Sequence, residues 1–186
     1  MRIYGIILAA GQSSRLGQDK QLVEFQGSTL IRHTEQLIQP LVNHLYVILG
    51  HNHEVISKEL RTATCLVNNN WQLGMGNSLS FGVKTAKKNA DAILIALCDQ
   101  PRIPHSHYMN MIKAAKLQNN QIITTAYAGI NGVPVIFPKR HFNELGSLTG
   151  SHGARGIIES HPNDVTTLLF EAAEFDIDNN SHLDQL

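Results

Sequence analysis

Cysteine is scarce. Cys65 and Cys98 are the only two in 186 residues. Thiols this few and this far apart give no disulfide framework, so the expected compartment is the reducing cytoplasm. Net charge is lacking as well. Fifteen basic residues balance fifteen acidic ones, which leaves out the basic footprint of a nucleic-acid binder. Any phosphate must then be held by a local site and not by the field of the whole protein. No uninterrupted apolar run is long enough for a membrane span. The uncharged stretch Leu117 to Pro138 is broken by Gln118, Asn119, Asn120, Gln121 and Asn131, with two glycines and two prolines. The first residues carry no signal-peptide pattern, because a charged loop follows a short apolar run. Repeats, low-complexity tracts and linkers are absent, and the length suits one domain, residues 1–186.

What is present is a rhythm. Apolar residues make up 42% of the chain, and strand-like runs alternate with helical ones. Residues 2–9, 44–49, 64–67, 92–97, 122–126 and 134–137 read as strands, with late strands expected at 168–170 and 175–177. Residues 29–41, 53–61, 78–88, 105–118 and 153–159 read as helices, with Ser28 as N-cap of the first. Strands alternating with helices imply an α/β fold: a single-domain, Rossmann-like, three-layer αβα arrangement around a mainly parallel sheet. Ligands in such sheets bind beyond the carboxyl ends of the strands. The loops at 9–20, 68–77 and 98–104 should therefore converge on one crevice.

The first of these loops carries the chemistry. Leu8-Ala9-Ala10-Gly11-Gln12-Ser13-Ser14-Arg15-Leu16-Gly17-Gln18-Asp19-Lys20 follows a buried strand with backbone donors, two serines and two cations. That combination suits phosphate. It is not a P-loop, since no Gly-Lys-Ser/Thr ends it. Gly11 and Gly17 also have the wrong spacing for a dinucleotide fingerprint. Asp99 ends the run Ala92 to Leu97. A carboxylate there suits Mg²⁺, which takes one or two carboxylates plus substrate phosphates. The histidine pairs His51/His53 and His105/His107 lack zinc-site partners in sequence and read as exposed. Cys98 reads as a buried strand residue and not as a nucleophile.

The loop resembles the signature of the nucleotidyltransferases, L-A-(A/G)-G-x-S-x-R-(M/L)-G-x-x-K, at every fixed position. Within that superfamily the chain is most similar to the molybdenum cofactor nucleotidyltransferases, and to their cytidylyltransferase branch. Ala9-Ala10-Gly11 stands where the guanylyl branch carries Ala-Gly-Gly. Trp71-Gln72-Leu73-Gly74-Met75-Gly76-Asn77-Ser78-Leu79 matches the branch's tryptophan loop. Asp99-Gln100-Pro101, Gly132-Val133-Pro134-Val135-Ile136-Phe137 and Asp176-Ile177-Asp178 follow in the family's order. One departure stands out: Ser151 occupies a position where the branch carries a carboxylate.

The resemblance implies Mg²⁺-dependent transfer of CMP from CTP to the phosphate of molybdopterin, with pyrophosphate released. Lys20 would then stabilise the α-phosphate and Arg15 would clamp the β- and γ-phosphates. Leu8, Ala9, Ala10, Gly11, Ser13 and Ser14 would complete the nucleotide site. Asp99 and Asp178 would hold the metal. Trp71, with Gly74, Gly76, Asn77 and Ser78 read as sitting just before a helix, would receive the acceptor. Two alternatives remain open at this point. One is a nucleotidyltransferase using GTP or another phosphorylated acceptor. The other is a nucleotide-binding regulatory protein without turnover.

Overall fold

The computed structural model of the protein describes residues 1–185. Strand β1 (Ile3–Ala9) lies in the interior of the sheet. A small hairpin, β2 (Glu24–Phe25) and β3 (Ser28–Thr29), precedes helix α1 (Leu30–Ile38). Then come β4 (His44–Leu49), α2 (His53–Ile56), β5 (Thr64–Val67), α3 (Met75–Ala86), β6 (Ala92–Leu97) and α4 (His105–Leu117). The last third holds β7 (Ile122–Tyr127), β8 (Ile130–Pro138), α5 (Phe142–Leu145), α6 (Arg155–Ser160), β9 (Val165–Leu169) and α7 (Asn180–Leu183).

Seven strands form one sheet in the order β5-β4-β1-β6-β8-β7-β9. Strand β8 runs antiparallel to both of its neighbours, and the other pairings are parallel. The sheet is therefore mainly parallel and buried on both faces, as continuous apolar strands require. Alternation along β1 divides the core. Ile3 and Ile7 pack with Ile31, Ile38 and Tyr108 beneath α1 and α4. Ile6 and Leu8 pack with Leu79, Val83, Phe142 and Ile157 beneath α3, α5 and α6. The result is three layers.

Several local readings change. Ser28 is paired with Phe25 in the hairpin, so it cannot cap α1. The expected helix at 53–61 is α2 followed by a 3₁₀ turn, Ser57–Glu59. Residues 175–177 form no strand: Ile177 donates one backbone bond to the Asp99 carbonyl (3.0 Å), and no ladder follows. That single bond docks the tail at the end of β6. His107 is buried, not exposed, and its Nε2 lies 2.9 Å from the Thr125 hydroxyl. Among the described residues, no helix is long and apolar enough to cross a membrane.

Candidate active site

The chain runs from β1 outward through β4 to β5, then crosses to the other side of β1 for β6. The crevice of such a sheet opens where the order reverses, beyond the carboxyl ends of the strands. A cavity of about 490 Å³ lies there.

Lys20 is the centre of it. Its Nζ donates to Asp99 Oδ2 and to Asp178 Oδ1, each at 2.8 Å. Burial disfavours the ammonium, but the two carboxylates outweigh burial and raise its pKa, so Lys20 is a fixed cation. The hydrogen bond from Lys20 is the main reason that Asp178 sits below its ordinary pKa, and burial only partly opposes it. Asp176 has no such partner. Burial, Asp178 and Asp99 raise its pKa.

The loop is shaped to present these groups. Ser13 adopts a left-handed backbone conformation (φ 54°), and its hydroxyl accepts the Lys20 N–H at 3.3 Å. Arg15 projects into solvent, its guanidinium 4.0 Å from Asp178. Leu8, Ala9, Ala10, Gly11 and Ser14 line the same wall. Of the acceptor candidates, Trp71, Gly74 and Ser78 reach the cavity, while Gly76 and Asn77 do not line it.

Helix α3 begins at Met75, so Gly76, Asn77 and Ser78 lie in its first turn and not ahead of it, contrary to the sequence expectation. Partners inside the protein occupy them. Gly76 donates its N–H to the Gly150 carbonyl (2.8 Å). Asn68 donates to both Asn77 Oδ1 and Ser78 Oγ at 3.0 Å. A Cβ on Gly74 would stand 2.5 Å from the Gly150 oxygen, and one on Gly76 would meet the His152 oxygen. Both glycines admit the 149–152 segment. Trp71 packs edge-on against His51, ring centres 5.6 Å apart.

The sequence reading missed Gln21. It is 2% exposed, and its Nε2 donates to the carbonyls of Ala9 (2.9 Å) and Gly11 (3.0 Å). It pins the Gly11 to Lys20 loop to the strand end. Leu97, Met75 and Gln72 also line the cavity. So does Cys98, whose thiol burial pushes well up in pKa and leaves inert. A glutamine directly after the loop lysine was the available signal.

The donor set fits a hard divalent cation. Asp99 Oδ1 is buried and has no hydrogen-bond partner, and an unpaired carboxylate oxygen there needs a cation or a donor. The carboxylates of Asp99 and Asp178 converge on one ammonium, so both lie within reach of a common ion.

An open, mainly parallel sheet with a glycine loop and a pocket holding Lys20, Asp99 and Asp178 at its switch point has the form of a nucleotide-binding α/β protein. Residues 5–165 match the MobA-like NTP transferase domain; the chain belongs to that family and is a nucleotidyltransferase. It is 33% identical over 172 residues to the nicotine blue oxidoreductase of Paenarthrobacter nicotinovorans, covering 86% of this chain and 83% of that protein. It is 30% identical over 119 residues to a molybdenum cofactor guanylyltransferase of Shewanella amazonensis, covering 63% of this chain and 59% of that one. In shape it is similar to Rv0371c of Mycobacterium tuberculosis H37Rv, with a TM-score of 0.87 and 24% identity over 100% and 96% of the two chains.

Proposed function

We propose that this nucleotidyltransferase moves CMP from CTP to a phosphorylated pterin of the molybdopterin type, with Mg²⁺ as the ion. The observation that carries the reading is the ammonium of Lys20 held between Asp99 and Asp178 beside the phosphate loop. An acceptor phosphate oxygen attacks the α-phosphorus. The bond from that phosphorus to the β-bridging oxygen breaks, and pyrophosphate leaves. Anions meet and an anion departs, so catalysis consists mainly of positioning and charge neutralisation.

The chain's own residues divide that work. Lys20 supplies fixed positive charge where negative charge grows on the α-phosphate. Arg15, free in solvent, has the reach and the fork geometry to take two phosphate oxygens at once. Gly11, Ser13 and Ser14 offer backbone and hydroxyl donors. Asp99 and Asp178 would hold Mg²⁺, which when bound draws phosphate oxygens together and neutralises them. Leu8, Ala9 and Ala10 would receive the base, and Trp71, Gly74 and Ser78 are the proposed acceptor side, with Gly76 and Asn77 behind them supporting the wall. The cytoplasm is the compartment we assign, in keeping with two free cysteines.

Ala10 carries the preference for cytosine over guanine, and a specific observation favours the alternative: five relatives are named molybdenum cofactor guanylyltransferases. Ser151, where a carboxylate is expected, likewise supports a different phosphorylated acceptor. Pyrophosphate release settles the matter. With molybdopterin as acceptor, CTP should be used in preference to GTP. The reverse ranking refutes the reading of Ala10. Release only with another phosphorylated acceptor refutes the pterin, and tight nucleotide binding without release across an acceptor panel refutes turnover.

A further inference from the structure

At the opposite end of the sheet from the crevice stands a second cluster of ligating groups. Pro138, the last residue of β8, pairs with Ala92 at the start of β6, whereas the nucleotide cavity lies at the end of β6. Just after β8 comes His141. Glu144 lies one turn on in α5, and His161 follows α6. One donor atom from each of the three side chains lies within 4.8 Å of the others. His161 Nε2 is 3.0 Å from Glu144 Oε2, and His141 Nδ1 is 3.6 Å from the same oxygen.

Two further observations point to a ligand. His141 is 4% exposed, and its Nδ1, the nitrogen that faces the cluster, stands 3.6 Å from Glu144 Oε2 with no hydrogen bond to it. A buried imidazole without a hydrogen bond is uncommon and calls for one. On the far side of the cluster, His161 Nδ1 stands 3.9 Å from Asp164 Oδ2, and Arg140 holds that carboxylate at 3.0 Å. A carboxylate behind the non-ligating nitrogen is the usual way a metal-binding histidine is oriented.

We propose that His141, Glu144 and His161 form a transition-metal site of the Zn²⁺ class. Two imidazoles and one carboxylate suit that ion better than Mg²⁺, which prefers oxygen. Bonds of about 2.0–2.1 Å place tetrahedral ligand atoms about 3.3 Å apart. The observed spacings approach this, and Glu144 and His161 are exposed enough to adjust. The site would clip the two ends of the 144–161 segment together. That segment carries Thr149 to His152, which lie against Gly74 and Gly76 beside the nucleotide cavity. The clip would thus brace one wall of the crevice from a distance, without taking part in the transfer.

Cobalt is the probe, because its visible absorption reports coordination. The full chain is stripped with chelator and titrated with Co²⁺, then with Zn²⁺. With excess Mg²⁺ present to fill the oxygen site at Asp99 and Asp178, a four-coordinate Co²⁺ spectrum that saturates at one ion per chain and is displaced by Zn²⁺ is expected. His161→Gln and Glu144→Gln should each weaken binding by about tenfold or more. Both side chains are part-exposed, so the fold should survive, and far-ultraviolet circular dichroism checks it. Asp99→Asn, at the other end of the sheet, should leave the spectrum unchanged. Absence of one-to-one saturation overturns the proposal. So does binding that survives both glutamine variants, or binding that is lost with Asp99→Asn.

Discussion

Lys20 and Asp178 are 158 residues apart in sequence, and their side chains meet at 2.8 Å. The contact joins the first loop of the chain to its tail. Ile177 is anchored on the Asp99 carbonyl, so the tail arrives in register and Asp178 is delivered to the same ammonium that Asp99 uses. The pocket is therefore complete only when both ends of the chain are docked on β6.

Removing Lys20 should separate chemistry from folding. In Lys20→Ala the carboxylates of Asp99 and Asp178 face each other without their shared cation, and the α-phosphate loses its fixed charge. Turnover should fall by about 10²–10³-fold, the scale for losing one preorganised charge stabiliser. Pyrophosphate release measures it, with circular dichroism confirming the fold. Asp178 owes its lowered pKa chiefly to Lys20, so its titration, followed by NMR, should move upward in the variant. Retention of near-wild-type turnover would end the assignment of Lys20.

That the Leu8 to Lys20 loop and Asp99 would line one crevice was legible because the loop's own parts are local. A strand, a glycine loop and a lysine follow one another within twenty residues, and the βαβα rhythm fixes which strand ends face the crevice. The Gly74 to Ser78 stretch was misread at its boundary for the opposite reason. Its glycines answer to Gly150 and His152, more than seventy residues away, and no spacing in the sequence shows a backbone that approaches so closely. The antiparallel direction of β8 was equally hidden, since a buried strand reads as apolar whichever way it runs. His107 was taken as exposed because Thr125, its partner, lies on a different element.

Gly76→Ala tests that close approach. The added methyl would collide with the carbonyl of His152 and stand 2.8 Å from that of Thr149. Neither is the end of a flexible side chain, so the 149–152 segment must move. The cost should be about 1–3 kcal/mol, typical of overpacking. Thermal denaturation should show a lowered midpoint. An unchanged midpoint would mean that the segment yields freely.

Glu35 gives a prediction in pH. The side chain is 1% exposed, and burial alone would raise its pKa. The backbone N–H groups of Ala63, Thr62 and Arg61 and the guanidinium of Arg32 outweigh burial and hold it below its ordinary value of 4.5. A carboxylate whose folded pKa is lowered contributes stability that is complete above the unfolded value and is lost as pH falls through the folded one. The protein should therefore lose stability on acidification below about pH 4.5. In Glu35→Gln this acid limb should flatten. At neutral pH the variant should be less stable by about 2 kcal/mol, because the amide leaves buried donors poorly paired. Urea midpoints measured across pH test both statements.

Gln21 holds the loop that is proposed to bind the nucleotide. Its amide N–H₂ spans two carbonyls, Ala9 and Gly11, on either side of Ala10. Ala10 in turn is tied outward, its carbonyl accepting the His51 N–H at 3.0 Å. The backbone proposed to face the base is thus fixed from both sides by protein donors. Gln21→Glu keeps the shape and removes the donor, and it sets a carboxylate against two carbonyl oxygens. Gln21→Leu removes the donor without adding charge. Both should raise KM for the nucleoside triphosphate, Gln21→Glu by the larger factor, about tenfold or more for a lost and reversed buried hydrogen bond. Because Lys20 and Asp99 remain in place, kcat at saturating nucleotide should change much less than KM. Equal loss in kcat and kcat/KM would instead place Gln21 in contact with the reacting phosphate, and Gln21→Leu proving worse than Gln21→Glu would mean that packing, not the amide donor, fixes the loop.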